Sequence, residues 1–325
     1  MPNAIRIHEL GGPEVLRWEE VAVGDPGPGE VRLRQTAVGL NFIDVYFRTG
    51  LYKGPALPFV PGMEGAGVVE AVGEGVTTLA VGDRVAYAAQ PMGAYAEARL
   101  IPAHRLVKVP DGIDDRTAAA MMLQGMTAQY LLRQTYRVIA GQTILFHAIA
   151  GGVGLIACQW AKYLGATVIG TVGSEEKGAL ARAHGCDYII NYRTEDFVAR
   201  VREITGGHGV PVVYDSVGKD TFMKSLECLM PRGTLVSFGQ SSGAVPPLDI
   251  GVLSAKGSLY LTRPILFTYT AEPEALQITA GELMEMVVNG RVKIEVNQSF
   301  PLRDAADAHR ALEARQTTGS TVLTI

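Results

Sequence analysis

Cysteine is scarce in this chain. Only Cys158, Cys186 and Cys228 occur in 325 residues, and none lies in a C-x-x-C pair. Three thiols cannot build a disulfide framework or a four-cysteine metal loop, and they fit a reducing compartment. Basic runs are missing too: 29 Lys and Arg against 33 Asp and Glu leave a net charge of −4. Nucleic acid is thereby excluded as the main partner, since such binding rests on phosphate neutralisation. No segment reads well as a membrane span. The one candidate, Val138 to Ala161, is free of charged residues but contains His147 and glycines at 141, 151, 152 and 154. A strand, a glycine turn and a buried helix explain it better than a bilayer helix of ~20 apolar residues. The opening residues Met1 to His8 alternate like a strand and show no charged-then-apolar leader pattern, so a cytoplasmic protein is expected. No repeat of solenoid period is visible.

Glycine is what the chain has in excess: 38 residues, well above the average of ~7%. With 47% hydrophobic and 19% charged residues, the composition is globular, and at ~150 residues per domain the length suggests about two domains. The first ~125 residues read as β-rich, with the apolar runs Val31–Val38, Gly67–Val72 and Arg84–Tyr87 separated by Gly/Pro punctuation such as Asp25-Pro-Gly-Pro-Gly29. From about Gly141 strands and helices alternate. Strands are expected at Thr143–His147, Thr167–Val172, Tyr188–Asn191, Val210–Asp215 and Thr234–Phe238, with a sixth at Ser258–Leu261. Helices are expected at Val153–Leu164, Glu175–Ala183, Glu195–Ile204 and Thr221–Leu229. This alternation indicates βαβ units and a parallel sheet, hence an α/β protein. After Pro264 the rhythm breaks into a helix at Pro273–Asn289, a strand near Lys293–Glu295, a helix at Leu302–Glu313 and a last strand at Ser320–Ile325.

The strongest local signal is Ala148-Ile-Ala-Gly151-Gly152-Val153-Gly154, after an apolar strand and before an apolar helix. Glycines let the backbone approach a pyrophosphate, and the helix N-terminus offers unpaired N–H groups and partial positive charge. The first glycine of a full G-x-G-x-x-G is replaced by Ile149, so the motif stands on its strand-turn-helix context. In NAD-binding versions an acid ends the second strand and takes the ribose hydroxyls. Here that place is near Gly173, followed by Ser174 and Lys177. A small residue, a hydroxyl and a cation suit a 2′-phosphate, so NADPH is favoured over NADH. Glu175 and Glu176 count against this, unless they serve the N-terminus of the next helix.

To this point the chain resembles the medium-chain dehydrogenase/reductase superfamily along essentially its whole length. The resemblance implies a GroES-like β-rich catalytic domain (residues 1–125 and 265–325) and a Rossmann domain with a doubly wound parallel sheet (126–264). Many members carry catalytic zinc on Cys, His and Cys. In this sequence Asn41 and Phe42 stand where Cys and His occur, Met63 replaces the usual His, and no Cys lies near Gln124. The six histidines are scattered, and zinc needs convergent ligands, so no metal is expected. His147 reads as a core residue. Alcohol oxidation then loses its Lewis acid, and a ready hydride acceptor is favoured, a quinone or an activated alkene.

More specific strings are similar to the zeta-crystallin-like quinone oxidoreductase branch: Gly11-Gly-Pro13-Glu14-Val-Leu16, Asn41-Phe-Ile-Asp44-Val-Tyr46-Phe-Arg48-Thr-Gly50-Leu-Tyr52, Leu123-Gln-Gly-Met-Thr127-Ala128, Tyr214-Asp-Ser216-Val-Gly218 and Phe238-Gly-Gln-Ser241. That resemblance implies hydride transfer from NADPH to a quinone bound between the two domains. It places Gly152 and Val153 at the pyrophosphate. Gly173, Ser174, Lys177, Tyr192 and Arg315 would hold the 2′-phosphate and ribose. Ser216, Phe238, Gly239, Gln240, Ser241, Pro264, Ile265 and Leu266 would border the nicotinamide half. Asn41, Phe42, Asp44, Tyr46, Thr127 and Tyr130 would line the cleft, with Asn41 and Tyr46 as the catalytic candidates. Tyr46 is the side chain expected to donate a hydrogen bond to the acceptor oxygen, because a phenol is protonated at neutral pH. Plainer roles stand beside these: Asn41 and Asp44 as turn formers, Tyr46 as a packed aromatic, Arg315 as a surface charge. Two rival readings also remain open, a 2-alkenal or enone reductase, and an NADPH-binding redox sensor or structural protein with incidental turnover. Family members often pair through the last strand of the cofactor domain, here near Gly257–Thr268, so a homodimer is expected.

Overall fold

The computed structural model describes residues 1–325. In chain order the first part contains strands β1 (Asn3–Ile7), β2 (Leu16–Glu20) and β3 (Glu30–Leu40), helix α1 (Phe42–Thr49), strands β4 (Glu64–Val72), β5 (Arg84–Ala88), β6 (Ala98–Pro102) and β7 (Val107–Lys108), and helix α2 (Asp115–Tyr130). The middle alternates: β8 (Thr143–Phe146), α3 (Gly152–Tyr163), β9 (Thr167–Val172), α4 (Glu175–Ala183), β10 (Tyr188–Asn191), α5 (Phe197–Ile204), β11 (Val210–Asp215), α6 (Phe222–Glu227) and β12 (Leu229–Ser237). Then come α7 (Gly251–Ala255), β13 (Tyr260–Thr262), α8 (Leu266–Tyr269), α9 (Pro273–Val288), β14 (Val296–Pro301), α10 (Ala305–Glu313) and β15 (Ser320–Thr324).

The chain divides into two compact units. The first comprises Met1–Met126, Thr270–Val288 and Ile294–Ile325, the second Thr127–Tyr269 and Asn289–Lys293. The sequence boundaries at 125/126 and 264/265 differ from this in three places, of which the first is only that Met126 falls in the first unit. Residues 265–269 stay with the second unit because α8 packs there: Tyr269 stacks on Tyr130 with ring centroids 4.4 Å apart. Residues 289–293 rejoin the second unit because the Lys293 N–H and carbonyl bond the Gln159 side chain at 2.9 and 3.0 Å.

In the first unit a seven-stranded sheet runs β14-β15-β3-β4-β5-β7, with β6 paired to β3. Ile5, Leu33, Val38, Val85, Tyr95, Ile101 and Leu323 are among its core side chains. The predicted strand near Lys293–Glu295 is absent, and β14 lies just after it. Its sequence Val-Asn-Gln-Ser-Phe-Pro is too polar to announce a strand, and it exists because β15 supplies a parallel partner.

In the second unit six parallel strands run β10-β9-β8-β11-β12-β13. Counted from β8 this is the order 3-2-1-4-5-6 of a dinucleotide-binding sheet, whose crevice opens at the carboxyl ends between strands 1 and 4. Those strands are β8 and β11. β9, β10, β11 and α4 coincide with the expected ranges. β12 begins five residues earlier than expected, at Leu229 opposite Val210, with a register shift that passes Pro231-Arg232-Gly233. Those three residues lie unpaired between the positions that meet β11, with Arg232 at φ 62°. α5 starts at Phe197 rather than Glu195 because the Asp196 carboxylate caps the Val198 N–H.

Candidate active site

Β8 ends at Phe146, and the chain then turns sharply into α3. Ala148 takes a left-handed conformation, φ 53°, and its carbonyl accepts the Gly151 N–H at 3.0 Å. Gly151 is the N-cap of α3 and no side chain caps the helix. The first N–H groups of a helix have no partner within it, so those of Gly152, Val153 and Gly154 are presented bare at the carboxyl edge of the sheet. A Cβ on Gly154 would lie 2.5 Å from the Ile149 carbonyl oxygen and 2.6 Å from that of Ala148, so only glycine lets the turn close this tightly. Ile149, the departure from the glycine motif, points into the core. It is fully buried over β9, where a Cβ on Gly170 would meet its Cγ2 at 2.5 Å. The missing first glycine is therefore matched by a glycine on the neighbouring strand.

Β9 leads to Gly173 and Ser174. Ser174 is the N-cap of α4, its hydroxyl accepting the Lys177 N–H at 3.4 Å. The Glu176 carboxyl accepts from its own backbone N–H first and from Ser174 second, and both bonds hold it below the usual carboxylate range. Asn191 donates to Glu175 at 3.4 Å. The two acids thus serve the helix start, the role that answers the objection they raised. Gly173 faces Tyr192, whose hydroxyl would lie 2.6 Å from a Cβ at 173. Gly173, Ser174, Lys177 and Tyr192 are brought together at one end of the second unit.

Ser216 and residues 238–241 form a second cluster there. Phe238 N–H bonds the Asp215 carbonyl at 2.8 Å and Ser241 N–H bonds that of Ser216 at 3.1 Å. A Cβ on Gly239 would lie 2.6 Å from the Ser216 oxygen. Pro264 and Leu266 are buried while Ile265 is exposed. Thr127 and Tyr130 are buried on α2, and the Tyr130 ring is taken up by the stack on Tyr269. The sequence reading passed over Tyr269 because nothing local marks it.

The remaining candidates lie in the first unit. Asn41 follows β3 and caps α1: its N–H donates to Asp44 Oδ2 at 3.0 Å, so both residues do form the turn. They also do more. Asn41 Nδ2 donates to Glu64 at 2.6 Å, Gln124 Nε2 donates to Asn41 Oδ1 at 3.1 Å, and Ser320 donates to Gln124 at 2.7 Å. The Leu123 N–H also donates to Glu64 at 2.8 Å. Asn41 thus bonds both Gln124 and Glu64 where zinc relatives place ligands, and Met63 is buried. Their polar atoms are turned to each other, and no group of three His, Cys, Asp or Glu side chains could hold a metal ion. These residues do not fit zinc. Burial pushes the Asp44 carboxyl up to about 7 and that of Glu64 up to about 8, against hydrogen bonds that pull both down. Asp44 Oδ2 also accepts from Tyr95 at 3.1 Å, while its buried Oδ1 has no partner. Tyr46, nearly buried on α1, packs its ring 5.0 Å from Tyr52 and 6.3 Å from Phe42. Arg315 is exposed just beyond α10, in a left-handed conformation at φ 59°. Gln124 and Tyr52, which lie in the quoted strings, and Glu64, next to Met63, are not singled out as site residues by the sequence; the signal for Glu64 and Gln124 is their long-range partners.

A family described as alcohol dehydrogenase GroES-like domain matches residues 27–111, and one described as zinc-binding dehydrogenase matches residues 152–280. The chain is 57% identical over 323 residues to a quinone oxidoreductase of Pseudomonas aeruginosa, covering 99% of each. It is 51% identical to a 2-haloacrylate reductase of a Burkholderia species, again over 99% of each. The solved structure of Escherichia coli quinone oxidoreductase complexed with NADPH superposes with a TM-score of 0.98 at 49% identity, covering 99% of this chain and all of that one. With the two domain types, the Rossmann strand order and full-length identity in agreement, the chain belongs to the quinone oxidoreductase family of the medium-chain dehydrogenase/reductases.

Proposed function

We propose that this chain is an NADPH-dependent quinone oxidoreductase acting without zinc. The observation that carries the reading is the bare N-terminus of α3 at the carboxyl edge between β8 and β11. When bound there, NADPH supplies the hydride that reduces the acceptor. The residues fit it: Gly152 and Val153 offer N–H groups to the pyrophosphate, and Gly173, with no side chain, leaves room beside Ser174, Lys177 and Tyr192 for the 2′-phosphate. Ser216, Phe238–Ser241 and Pro264–Leu266 border the nicotinamide half, and Thr127, Tyr130 and Arg315 complete the cofactor shell. On α1, Asn41, Phe42 and Asp44 shape the substrate side, and the Tyr46 hydroxyl donates a hydrogen bond to the acceptor oxygen. The chain's contribution is binding, orientation and exclusion of water.

The identity to a 2-haloacrylate reductase favours one second reading, reduction of an activated alkene on the same cofactor site. Purified, chelator-treated protein is assayed by loss of NADPH absorbance with a large ortho-quinone and with an enone aldehyde, against NADH. Turnover with NADPH and the quinone supports the reading. A preference for the enone moves the protein to the alkene reductases, and silence with both acceptors overturns an enzymatic role. Tyr46→Phe with unchanged kcat/KM removes the donor role.

The assembly proposed with this function is a homodimer through β13, the sheet edge, where Tyr260 is 61% exposed. No helix is long and apolar enough to cross a membrane. A cytoplasmic location is part of the proposal.

A further inference from the structure

Four polar side chains lie fully buried in one row beneath the turn that opens α3: Thr171, His147, Ser225 and Asp215, each at most 1% exposed. The row crosses the sheet from β9 past β8 to α6 and the end of β11. His147 Nδ1 is 2.9 Å from Thr171 Oγ1, His147 Nε2 is 3.0 Å from Ser225 Oγ, and Ser225 Oγ is 3.0 Å from Asp215 Oδ2.

Counting protons gives the row a direction. Three acceptors surround the Ser225 hydroxyl: Asp215 Oδ2, the Thr221 carbonyl at 2.9 Å and His147 Nε2. The Thr221 carbonyl already accepts the Ser225 N–H at 2.8 Å, and the charged carboxylate is the strongest acceptor of the three. We therefore assign the Ser225 proton to Asp215 and the imidazole proton to Nε2, which donates to Ser225 while Nδ1 accepts from the Thr171 hydroxyl. Burial holds His147 below its ordinary pKa although the Asp215 carboxylate pulls the other way, so the ring is held neutral.

The two ends of the row are both turns. At one end Thr171 Oγ1 accepts the N–H of Ala148, 3.3 Å away, the residue held at φ 53°. At the other, Asp215 Oδ1 accepts the N–H groups of Val217 at 2.8 Å and Gly218 at 3.1 Å, and Thr221 Oγ1 adds a further bond at 2.9 Å. An apolar side chain at 147 would fill the same space without desolvating a ring, and buried polar rows contribute little net stability. What the row supplies is geometry: it ties a left-handed alanine to a carboxylate that itself builds the neighbouring turn.

We propose that His147 is a positioning residue for the cofactor pyrophosphate, holding the Ala148–Gly151 turn in register with the Asp215–Gly218 turn through Thr171 and Ser225. It acts through the backbone and touches no reacting atom. The inference rests on the reading of Gly152 and Val153 as pyrophosphate contacts.

The test is calorimetric binding of NADP⁺ and of adenosine 2′-monophosphate, which lacks the pyrophosphate, with the unfolding temperature recorded for each protein. His147→Phe fills the ring volume without its bonds. It is expected to weaken NADP⁺ about tenfold, the scale of one displaced hydrogen bond, and to leave adenosine 2′-monophosphate within about twofold. His147→Gln, which keeps an acceptor and a donor, recovers part of the loss. Thr171→Val, a smaller change that preserves the fold if the ring substitution does not, reproduces the selective loss, and the double variant is less than additive. A lowered unfolding temperature with unchanged NADP⁺ affinity overturns the proposal, as does equal weakening of both ligands. Unsubstituted protein that binds NADP⁺ no tighter than adenosine 2′-monophosphate overturns the pyrophosphate reading and the proposal with it, a failure read before any variant is made.

Discussion

Arg48 and His309 meet across 261 residues of chain, Nη1 standing 2.9 Å from Nδ1 in the first unit. A guanidinium only donates, so Nδ1 accepts and the ring proton sits on Nε2, facing the Tyr95 hydroxyl at 3.0 Å. Tyr95 in turn donates to Asp44, and Arg48 pairs with Glu313 at 2.8 Å. Burial first, and the Arg48 charge second, hold the His309 pKa down to about 3. The native state therefore binds fewer protons than the unfolded chain below about pH 6.5. The His309 contribution is whole above that pH and is lost as pH falls toward 3. His309→Gln is expected to be less stable by about 1–3 kcal/mol near neutrality, the cost of disturbing a buried partner, and to show a flatter decline below pH 6.5 in denaturant titrations. Parallel curves for the two proteins would remove His309 from the acid limb.

Asp44 has the opposite sign. Its folded pKa of about 7 lies above the ordinary value of 3.8, so between the two the native state holds a proton that the unfolded state has released. Stability from this group is whole below about pH 4 and is lost as pH rises through 7, by at most about 4 kcal/mol. Asp44→Asn keeps a neutral side chain and ends that dependence. Between pH 5 and 8 its stability is expected to fall less steeply than that of the unsubstituted protein, with the largest gain at pH 8. An Asn variant that is the less stable of the two at pH 8 contradicts this assignment.

Gly170 and Ile149 are a size-matched pair. A Cβ at 170 would meet Ile149 Cγ2 at 2.5 Å and Cys186 Sγ at 2.8 Å, both buried side chains. Gly170→Ala is expected to cost about 1–3 kcal/mol from overpacking. Ile149→Ala in the same molecule relieves the contact, so the double variant is more stable than the sum of the single changes predicts. Additive costs in urea unfolding would mean that the two side chains do not share this space.

Lys177 lies on the first turn of α4, one turn from Ser174. If it binds the 2′-phosphate, Lys177→Ala raises KM for NADPH about tenfold, about 1.4 kcal/mol, and leaves KM for NADH unchanged, because NADH has no group for it. Alanine is a good helix former, so the unfolding temperature stays within a few degrees. An equal rise for both cofactors assigns Lys177 to the helix and not to the phosphate.

The cofactor half was legible in the sequence because its signals are local. The turn at Ala148–Gly154 lies between an apolar strand and an apolar helix, and Gly173-Ser174 ends a strand and caps a helix, so each is announced by residues within a turn of itself. The substrate half was legible only as a string. Asn41, Asp44 and Tyr46 were named, but Glu64, Gln124, Ser320, Tyr95 and His309, which surround or orient them, come from five distant segments. β14 was missed for the same reason, since its polar residues become a strand only against β15.

By itself, then, the sequence determined the α/β alternation, the glycine turn at Ala148–Gly154, the acid-free end of β9 and the lack of zinc ligands. Each depends on residue type within a few positions, where backbone conformation and helix ends set the physics. Only the tertiary structure decided that Asn41 bonds both Gln124 and Glu64, that Ile149 is housed by Gly170, and that His147 lies between Thr171 and Ser225. Those outcomes depend on which buried donors and acceptors meet, and burial is a property of the packed chain.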